Sequence, residues 1–220
     1  MHSDVIIRKC KRSDWKGIMD VCYHTGYMGE DAEGHFGDKF LFGLLFSLYY
    51  PWFEWWNCFV AVHNNKVVGY ILGSLDSNIQ HKMFIAKIGP LILARLALVS
   101  WWRYPNTLKI LVHLIKQFPQ ALNNNAISDS DINLSYPAHL HIDILAPYQH
   151  QGIGSKLISL YENHVKSHNV PGIHLDTSNK NFKAIPFYFK HGYKIIRKLN
   201  SSLWPDSPNT IQLTFAKKLK

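Results

Sequence analysis

The residues most able to do chemistry lie in the stretch 138–155, AHLHIDILAPYQHQGIGS. His139, His141 and Asp143 alternate with apolar residues, and this period of two predicts a β-strand. A carboxylate on a strand that is buried on both faces is unfavourable unless it is paired or used. Asp143 is therefore a candidate general base, and an ion pair with a histidine or a lysine is the structural alternative. The three polar side chains also have a same-face spacing that would suit a metal ion.

A glycine-rich turn follows this strand. Residues 149–154 read QHQGIG, and the apolar positions from Ser155 to Tyr161 recur at helical spacing. Glycines let the backbone take unusual dihedral angles and approach a ligand closely. The free amides at the start of the next helix, together with its dipole, favour an anion. The order strand, turn, helix therefore predicts a site for a diphosphate.

Two motifs in this region resemble a known family. Residues 149–154 fit Q/R-x-x-G-x-G/A, the pyrophosphate loop of the GCN5-related N-acetyltransferases, the GNAT superfamily. Residues 181–193, NFKAIPFYFKHGY, are similar to the family's N-x-x-A-x-x-x-Y-x-x-x-G-F/Y block. Weaker likeness elsewhere points to the subgroup that includes bacterial acetyltransferases and the acetyltransferase-like domain of O-GlcNAcase. His150 departs from the pattern, because the family commonly has glycine there.

The resemblance implies acetyl-coenzyme A as co-substrate, bound between two splayed parallel strands, and no metal. It implies Tyr188 as the general acid that protonates the departing thiolate, with a core tyrosine as the alternative. Asn181 would bind the cofactor or cap its helix. The full set of expected cofactor-binding residues is Ile144, Leu145, Gln149, His150, Gln151, Gly152, Ile153, Gly154, Ser155, Asn181 and Tyr188.

An amine acceptor is protonated at neutral pH, so its proton must be removed before it attacks. Asp143 is the first candidate base, and Asp176, acting through water, is the second. Glu30 and Asp31 lie in an acidic loop that would attract a cationic amine, although such a run is also typical of a solvated helix start. His141 is expected on the acceptor side. The sequence leaves open a protein lysine, an amino sugar, a polyamine or an amino acid as acceptor.

Composition favours one globular domain over residues 1–220, since 47% of the residues are hydrophobic and 18% charged. The formal charge of +9 comes without a dense basic run interleaved with aromatics, so we expect no nucleic-acid partner. Three cysteines without metal-ligand spacing favour a reducing compartment, the cytoplasm or the nucleus.

The expected fold class is α/β (α+β), a mixed central sheet with helices on both faces and a helical insertion at about 77–135. Residues 83–102 are apolar, but Lys87 and Arg95 lie within them and Gly89-Pro90 interrupts them, so we expect no transmembrane segment. Helical cover for the sheet is the favoured interpretation. A homodimer contact, a partner interface or a lipid surface are the alternatives for the insertion.

The resemblance implies an N-acetyltransferase that moves acetyl directly from acetyl-coenzyme A to an amine, without a covalent enzyme intermediate. The alternative is a coenzyme A-binding or interaction module without turnover.

Overall fold

The computed structural model describes residues 5–105, 107, 109–110, 112–113, 129–200 and 204–219. Seven strands form one sheet: β1 Ile6–Lys9, β2 Phe59–His63, β3 Lys66–Ser74, β4 Ala138–Ile144, β5 Gly172–Ser178, β6 Lys194–Asn200 and β7 Ile211–Lys218. Their order across the sheet is β1-β2-β3-β4-β5-β7-β6. Every neighbouring pair is antiparallel except β4 and β5, which are parallel. The predicted mixed sheet is confirmed.

The α-helices of the described residues are α1 Trp15–Tyr23, α2 Lys39–Phe46, α3 Tyr49–Phe53, α4 Ser77–Lys87, α5 Gly89–Arg95, α6 Trp101–Arg103, α7 Asp129–Ser135, α8 Ile153–Ser167 and α9 Ala184–Lys190. Residues on one side of the sheet pack with α1, α2 and α3 into one apolar core. Residues on the other side pack with α8 and α9 into a second core. The sheet is therefore covered on both faces, because its strands carry apolar residues on both.

The two parallel strands separate after a short paired section. β4 and β5 are in register only at Ala138 with Ile173 and at His139 with His174. Beyond these pairs β4 stays bonded to β3, while β5 stays bonded to β7. The carboxyl halves of β4 and β5 consequently leave an opening in the sheet, which is the predicted splay.

Local contacts explain where three helices begin. The Asp14 side chain does not cap α1, because its carboxylate accepts from Arg8 (2.7 and 2.8 Å) and from the Lys11 amide (2.7 Å). Pro51 lies within the first turn of α3, where amides have no intrahelical acceptor. α7 begins at Asp129 and has acidic residues in its first turn.

The insertion covers less of the sheet than predicted. Ile88 is fully buried in the core that holds α2, but most apolar side chains of α4, α5 and α6 face outward. The stretch Ser77–Arg103 is long and apolar enough to cross a membrane by length and composition, and only 11% of its most apolar window is buried. The predicted helix at 107–118 and the predicted loop at 123–131 lie largely outside the described residues.

Candidate functional site

A cavity of about 450 Å³ lies beside the carboxyl half of β4, which is not paired with β5. It is open to solvent and is bounded by the end of β4, the glycine turn, the start of α8, and α9. Its predicted site residues are Asp143, Ile144, Gln149, His150, Gly152, Gly154, Ser155, Asn181 and Tyr188. Two motifs that are more than 25 residues apart in the chain therefore meet at one cavity.

The glycine turn presents unbonded amides to this cavity. Within the described part of the chain, the amides of residues 150–155 donate to no backbone carbonyl, and the first intrahelical bond of α8 runs from Lys156 to Gly152 (3.1 Å). These donors lie at the amino end of a 15-residue helix. They form a concentrated positive potential that suits phosphate oxygens.

Left-handed backbone gives the turn its shape. His150 has φ +60° and Gly152 has φ +77°. The position where the family commonly has glycine is thus occupied by a histidine in the conformation that glycine adopts most easily. The departure of His150 from the motif preserves the direction of the amides.

Gln149 holds the turn in place. Its side-chain amide donates to the Ile144 carbonyl at 2.8 Å, which ties the turn to the last residue of β4. Leu145, the next residue, faces away from this cavity. Its amide donates to the Val68 carbonyl at 2.9 Å, and the residue lines a second cavity near the β2–β3 hairpin. Gln151 and Ile153 are not among the lining residues of the first cavity.

Asp143 has two polar neighbours. The Tyr70 hydroxyl donates to its Oδ2 at 2.5 Å, and the Nε2 of His141 lies 3.0 Å from the same oxygen. Burial opposes a charge on His141, but the adjacent Asp143 carboxylate outweighs it and raises the pKa of His141 above its usual value. Asp143 therefore both pairs with a histidine and faces the cavity, so the two alternatives for this residue coexist.

Tyr188 is 6% exposed and reaches the same cavity from α9. Its ring packs against Phe187, Tyr193 and Phe215. Burial, followed by the negative charge of Asp143, raises the pKa of Tyr188 above its ordinary value. The hydroxyl therefore holds its proton at neutral pH, which a general acid requires before it can donate one.

Asn181 lies both at the start of α9 and in the wall of the cavity. Its Oδ1 accepts from the Ala184 amide at 3.2 Å, just before α9, and its side chain also lines the cavity. The α1–α2 loop closes against it, because a Cβ on Gly29 would lie 2.9 Å from the same oxygen.

The sequence did not identify Lys183, Lys190 or Tyr70 as site residues. Lys183 and Lys190 line the cavity, and both lie within the second motif, residues 181–193. Their closeness to Asn181 in the sequence could have identified them as candidates for cofactor binding. Tyr70 comes from β3, opposite Asp143 in the register, and only the strand pairing brings them together.

Besides Leu145, Gln151 and Ile153, four predicted site residues lie outside the lining, namely His141, Asp176, Glu30 and Asp31. Asp176 is exposed on β5 and accepts from the Thr214 hydroxyl at 2.5 Å. Glu30 pairs with Lys183 at 2.7 Å and thus stands at the rim, whereas Asp31 pairs with His24 at 2.7 Å.

Cys22 joins His141 and Asp143 in a group whose potential ligand atoms lie within 4.8 Å of one another. His139, the third member of the predicted spacing, instead lies 3.2 Å from the Tyr50 hydroxyl. Burial, and then the charge of Asp143, raises the pKa of Cys22 to about 12. A thiol that keeps its proton is a poor nucleophile.

Comparison with known proteins bears on the same region. The model of the Acetyltransferase (GNAT) family matches residues 132–193. The crystal structure of SsHAT shares 24% identity, covers 99% of each chain and superposes with a TM-score of 0.75. A polyamine N-acetyltransferase from Drosophila melanogaster shares 16% identity over 98% of this chain and 100% of its own, with a TM-score of 0.59. An N-acetyltransferase from Staphylococcus aureus Mu50 shares 14% identity over 99% and 100%, with a TM-score of 0.55. The resemblance stated from the two motifs is confirmed, and its extension to the O-GlcNAcase subgroup stays a prediction.

Proposed function

From the GNAT fold of this chain and the GNAT family match at residues 132–193, we propose that the protein is an N-acetyltransferase that uses acetyl-coenzyme A. One observation carries the proposal. Asp143 from β4 and Tyr188 from the second motif line the same cavity as His150, Gly152, Gly154 and Ser155, whose amides donate to no backbone carbonyl among the described residues. A base, an acid and a phosphate cradle are the parts that direct acetyl transfer needs.

The lining residues fit acetyl-coenzyme A. The amides of the glycine turn offer several donors to a diphosphate, and Lys183 and Lys190 add positive charge at the same wall. The opening between β4 and β5 leaves the Ile144 backbone beside the cavity, where a pantetheine chain would pair with it as a further strand would. When bound, acetyl-coenzyme A supplies the acetyl thioester.

Asp143 accepts a proton from the ammonium group of the acceptor, either directly or through water. The neutral amine that results has the lone pair needed for attack. The hydrogen bonds of Asp143 to Tyr70 and His141 fix the orientation of the carboxylate. The amine nitrogen then forms a bond to the acetyl carbon, and the carbon–sulfur bond breaks. Tyr188 gives its hydroxyl proton to the leaving sulfur, and the newly bonded nitrogen gives up its second proton, which returns to the Tyr188 phenolate through water. Asp143 then releases its proton to water.

Asp143 has the stronger position of the two candidate bases. It faces the cavity, whereas the Asp176 carboxylate is bonded to Thr214 outside the lining. The chemistry needs no cysteine, and the three cysteines of the described residues are buried thiols. We therefore propose transfer in a ternary complex, without an acetylated enzyme.

The proposed acceptor is a cationic amine. Asp143 lies inside the cavity, where its carboxylate would attract a positively charged amine. Two structures with the same fold are described as a polyamine N-acetyltransferase and an agmatine N-acetyltransferase. Polyamines consequently stand beside protein lysines and amino sugars as the acceptor classes to try first.

Thiol release from acetyl-coenzyme A tests the proposal with a panel of polyamines, amino sugars, amino acids and lysine peptides. We expect release above the acceptor-free rate with one class, and loss of that release in Asp143→Asn. Silence across the panel, with acetyl-coenzyme A still raising the melting temperature, would instead support a binding module without turnover. Silence without stabilisation would overturn the coenzyme A site itself.

A further inference from the structure

The helical insertion exposes an unusual amount of apolar surface. Leu98 is 72% exposed, Leu93 69%, Trp102 60% and Trp101 59%. We call this region the insertion surface. It consists of Ile79, Met83, Ile85, Leu91, Leu93, Leu98, Trp101 and Trp102. A soluble monomer rarely leaves so many large apolar side chains on one continuous element, which marks the region as an interaction surface.

The side of this segment opposite the insertion surface is held against the core of the protein. Ile88 is fully buried against the core, and Arg95 donates to the buried Asp38 at 2.9 and 3.1 Å. Asp38 also accepts from the Ser100 hydroxyl at 2.6 Å and from the first turn of α2. Because these contacts hold the segment along the domain, it lies beside the protein and does not leave it as a free span.

The charge of the insertion indicates a negatively charged partner. From residue 77 to residue 128 the sequence has no aspartate or glutamate, whereas it has six lysines and arginines: Lys82, Lys87, Arg95, Arg103, Lys109 and Lys116. Lys82, Lys87 and Arg103 are exposed beside the insertion surface. Two adjacent exposed tryptophans complete the pattern, since indole rings concentrate at the boundary between lipid and water.

We propose that the insertion surface binds an anionic lipid bilayer and lies in its interfacial region. The apolar side chains enter the acyl boundary while the exposed lysines and Arg103 contact negatively charged headgroups. A second copy of the chain fits this surface poorly, because a symmetric contact would place the same basic residues against one another. The proposal does not depend on acetyl transfer.

Flotation with phosphatidylcholine vesicles, with and without phosphatidylserine, tests the proposal on the full chain. We expect the protein to float with the anionic vesicles and to stay in solution with the neutral ones. Raised salt should release most of it, because exposed charges are screened. Equal binding to both vesicle types, or no binding to either, would overturn the proposal.

Matched variants separate the surface from general basicity. Lys82→Glu/Lys87→Glu should weaken binding to the anionic vesicles by roughly tenfold or more. Lys166→Glu/Lys198→Glu makes the same change in net charge at exposed positions outside the insertion, and we expect a clearly smaller loss. Equal losses in the two double variants would show that only net charge matters and would contradict a dedicated surface.

The apolar part has its own test. Trp101→Ala/Trp102→Ala should reduce flotation by roughly tenfold, whereas Trp56→Ala, which removes a 46% exposed tryptophan elsewhere, should leave it unchanged. Thermal melting checks that each variant is folded. Sedimentation compares the oligomeric state of the wild type with that of Trp101→Ala/Trp102→Ala. A wild-type dimer that the two substitutions abolish would assign the surface to a second copy and overturn the lipid proposal.

Discussion

Asp143 is held by two side chains that come from different strands. Tyr70 donates to it from β3, and His141 lies beside it on β4. The carboxylate is therefore fixed in direction while it remains open to the cavity. At the scale of single residues, the proposed chemistry depends on this carboxylate and on the Tyr188 hydroxyl.

We expect Asp143→Asn to lower turnover by about 10²- to 10⁴-fold, the usual contribution of a general base. The same change should lower the pKa of His141, because burial then acts without the carboxylate that outweighs it. Titration of the His141 imidazole by NMR measures the second effect.

Asp176→Asn is the matched control, and neither turnover nor the pKa of His141 should change in it. The opposite result, a large loss of turnover in Asp176→Asn alone, would transfer the role of base to Asp176.

Tyr188→Phe removes one oxygen and keeps the ring that packs against Phe187, Tyr193 and Phe215. We expect turnover to fall by about 10²-fold or more, since the thiolate then leaves without a proton donor. The affinity for acetyl-coenzyme A, measured by calorimetry, should stay nearly unchanged. Tyr193→Phe alters a neighbouring buried tyrosine outside the cavity lining and should retain activity. Wild-type turnover in Tyr188→Phe would remove its assignment as the acid.

At the scale of elements, the β4–turn–α8 unit combines strand register, a left-handed turn and a helix start. Gly152 has φ +77°, and no atom lies within 4 Å of the position where its Cβ would be. Space alone therefore permits a side chain there, but the backbone conformation is unfavourable for one, and the new methyl group would stand among the amides that face the cavity.

We expect Gly152→Ala to lower the free energy of unfolding by about 1 kcal/mol and the affinity for acetyl-coenzyme A by roughly tenfold. Gly34→Ala provides a close match, because Gly34 also has positive φ (+85°) and open space around its Cβ position. It should lose similar stability and keep its affinity. Equal affinity in the two variants would contradict the assignment of the turn as the diphosphate site. Urea unfolding and calorimetry supply the two measurements.

At the scale of the whole molecule, several histidines are enclosed by the packed elements. Burial, followed by the charges of His174 and His141, lowers the pKa of His139 well below its usual value. Burial also lowers the pKa of His174 and lowers that of His164 to about 4. His141 shifts in the opposite direction because it has Asp143 beside it.

Histidines with lowered pKa make the fold sensitive to acid. Above about pH 6.5 they are neutral in both states, so their contribution to stability is fully present. Below that pH the unfolded chain takes up protons that folded His139 does not, and the free energy of unfolding falls. We expect a slope of at most about 1.4 kcal/mol per pH unit for one such histidine.

Urea unfolding between about pH 7.5 and pH 5.5 measures this slope. His139→Gln should give a shallower slope than the wild type, because one titrating group is removed. His81→Gln changes an exposed histidine and should leave the slope unchanged. A slope that is identical in the wild type and in His139→Gln would show that His139 titrates normally in the folded protein.

Local patterns were sufficient for much of the fold. Alternation predicted β4, and the glycines and the following helical spacing predicted the turn and α8. These features depend on residues close in sequence. They can therefore be predicted without knowledge of the packing.

The two motifs of the candidate site were equally visible, because each is carried by contiguous residues. What the sequence by itself determined was therefore the GNAT-type sheet, the glycine turn and the identity of Asp143 and Tyr188 as candidates.

Only the tertiary structure decided which groups surround those candidates. The pairing of β3 with β4 brings Tyr70 to Asp143, and the packing of α9 beside the turn brings Lys183 and Lys190 to the cavity. The sequence offered Asp143 as the first candidate base and Asp176 as the second, and of the two only Asp143 lines the cavity. The insertion shows the same limit, because its apolar sequence favoured helical cover for the sheet, whereas most of its apolar side chains are exposed. The contacts of Ile88 and Arg95 with the core decide which side of it is buried, because hydrophobicity alone does not specify a direction.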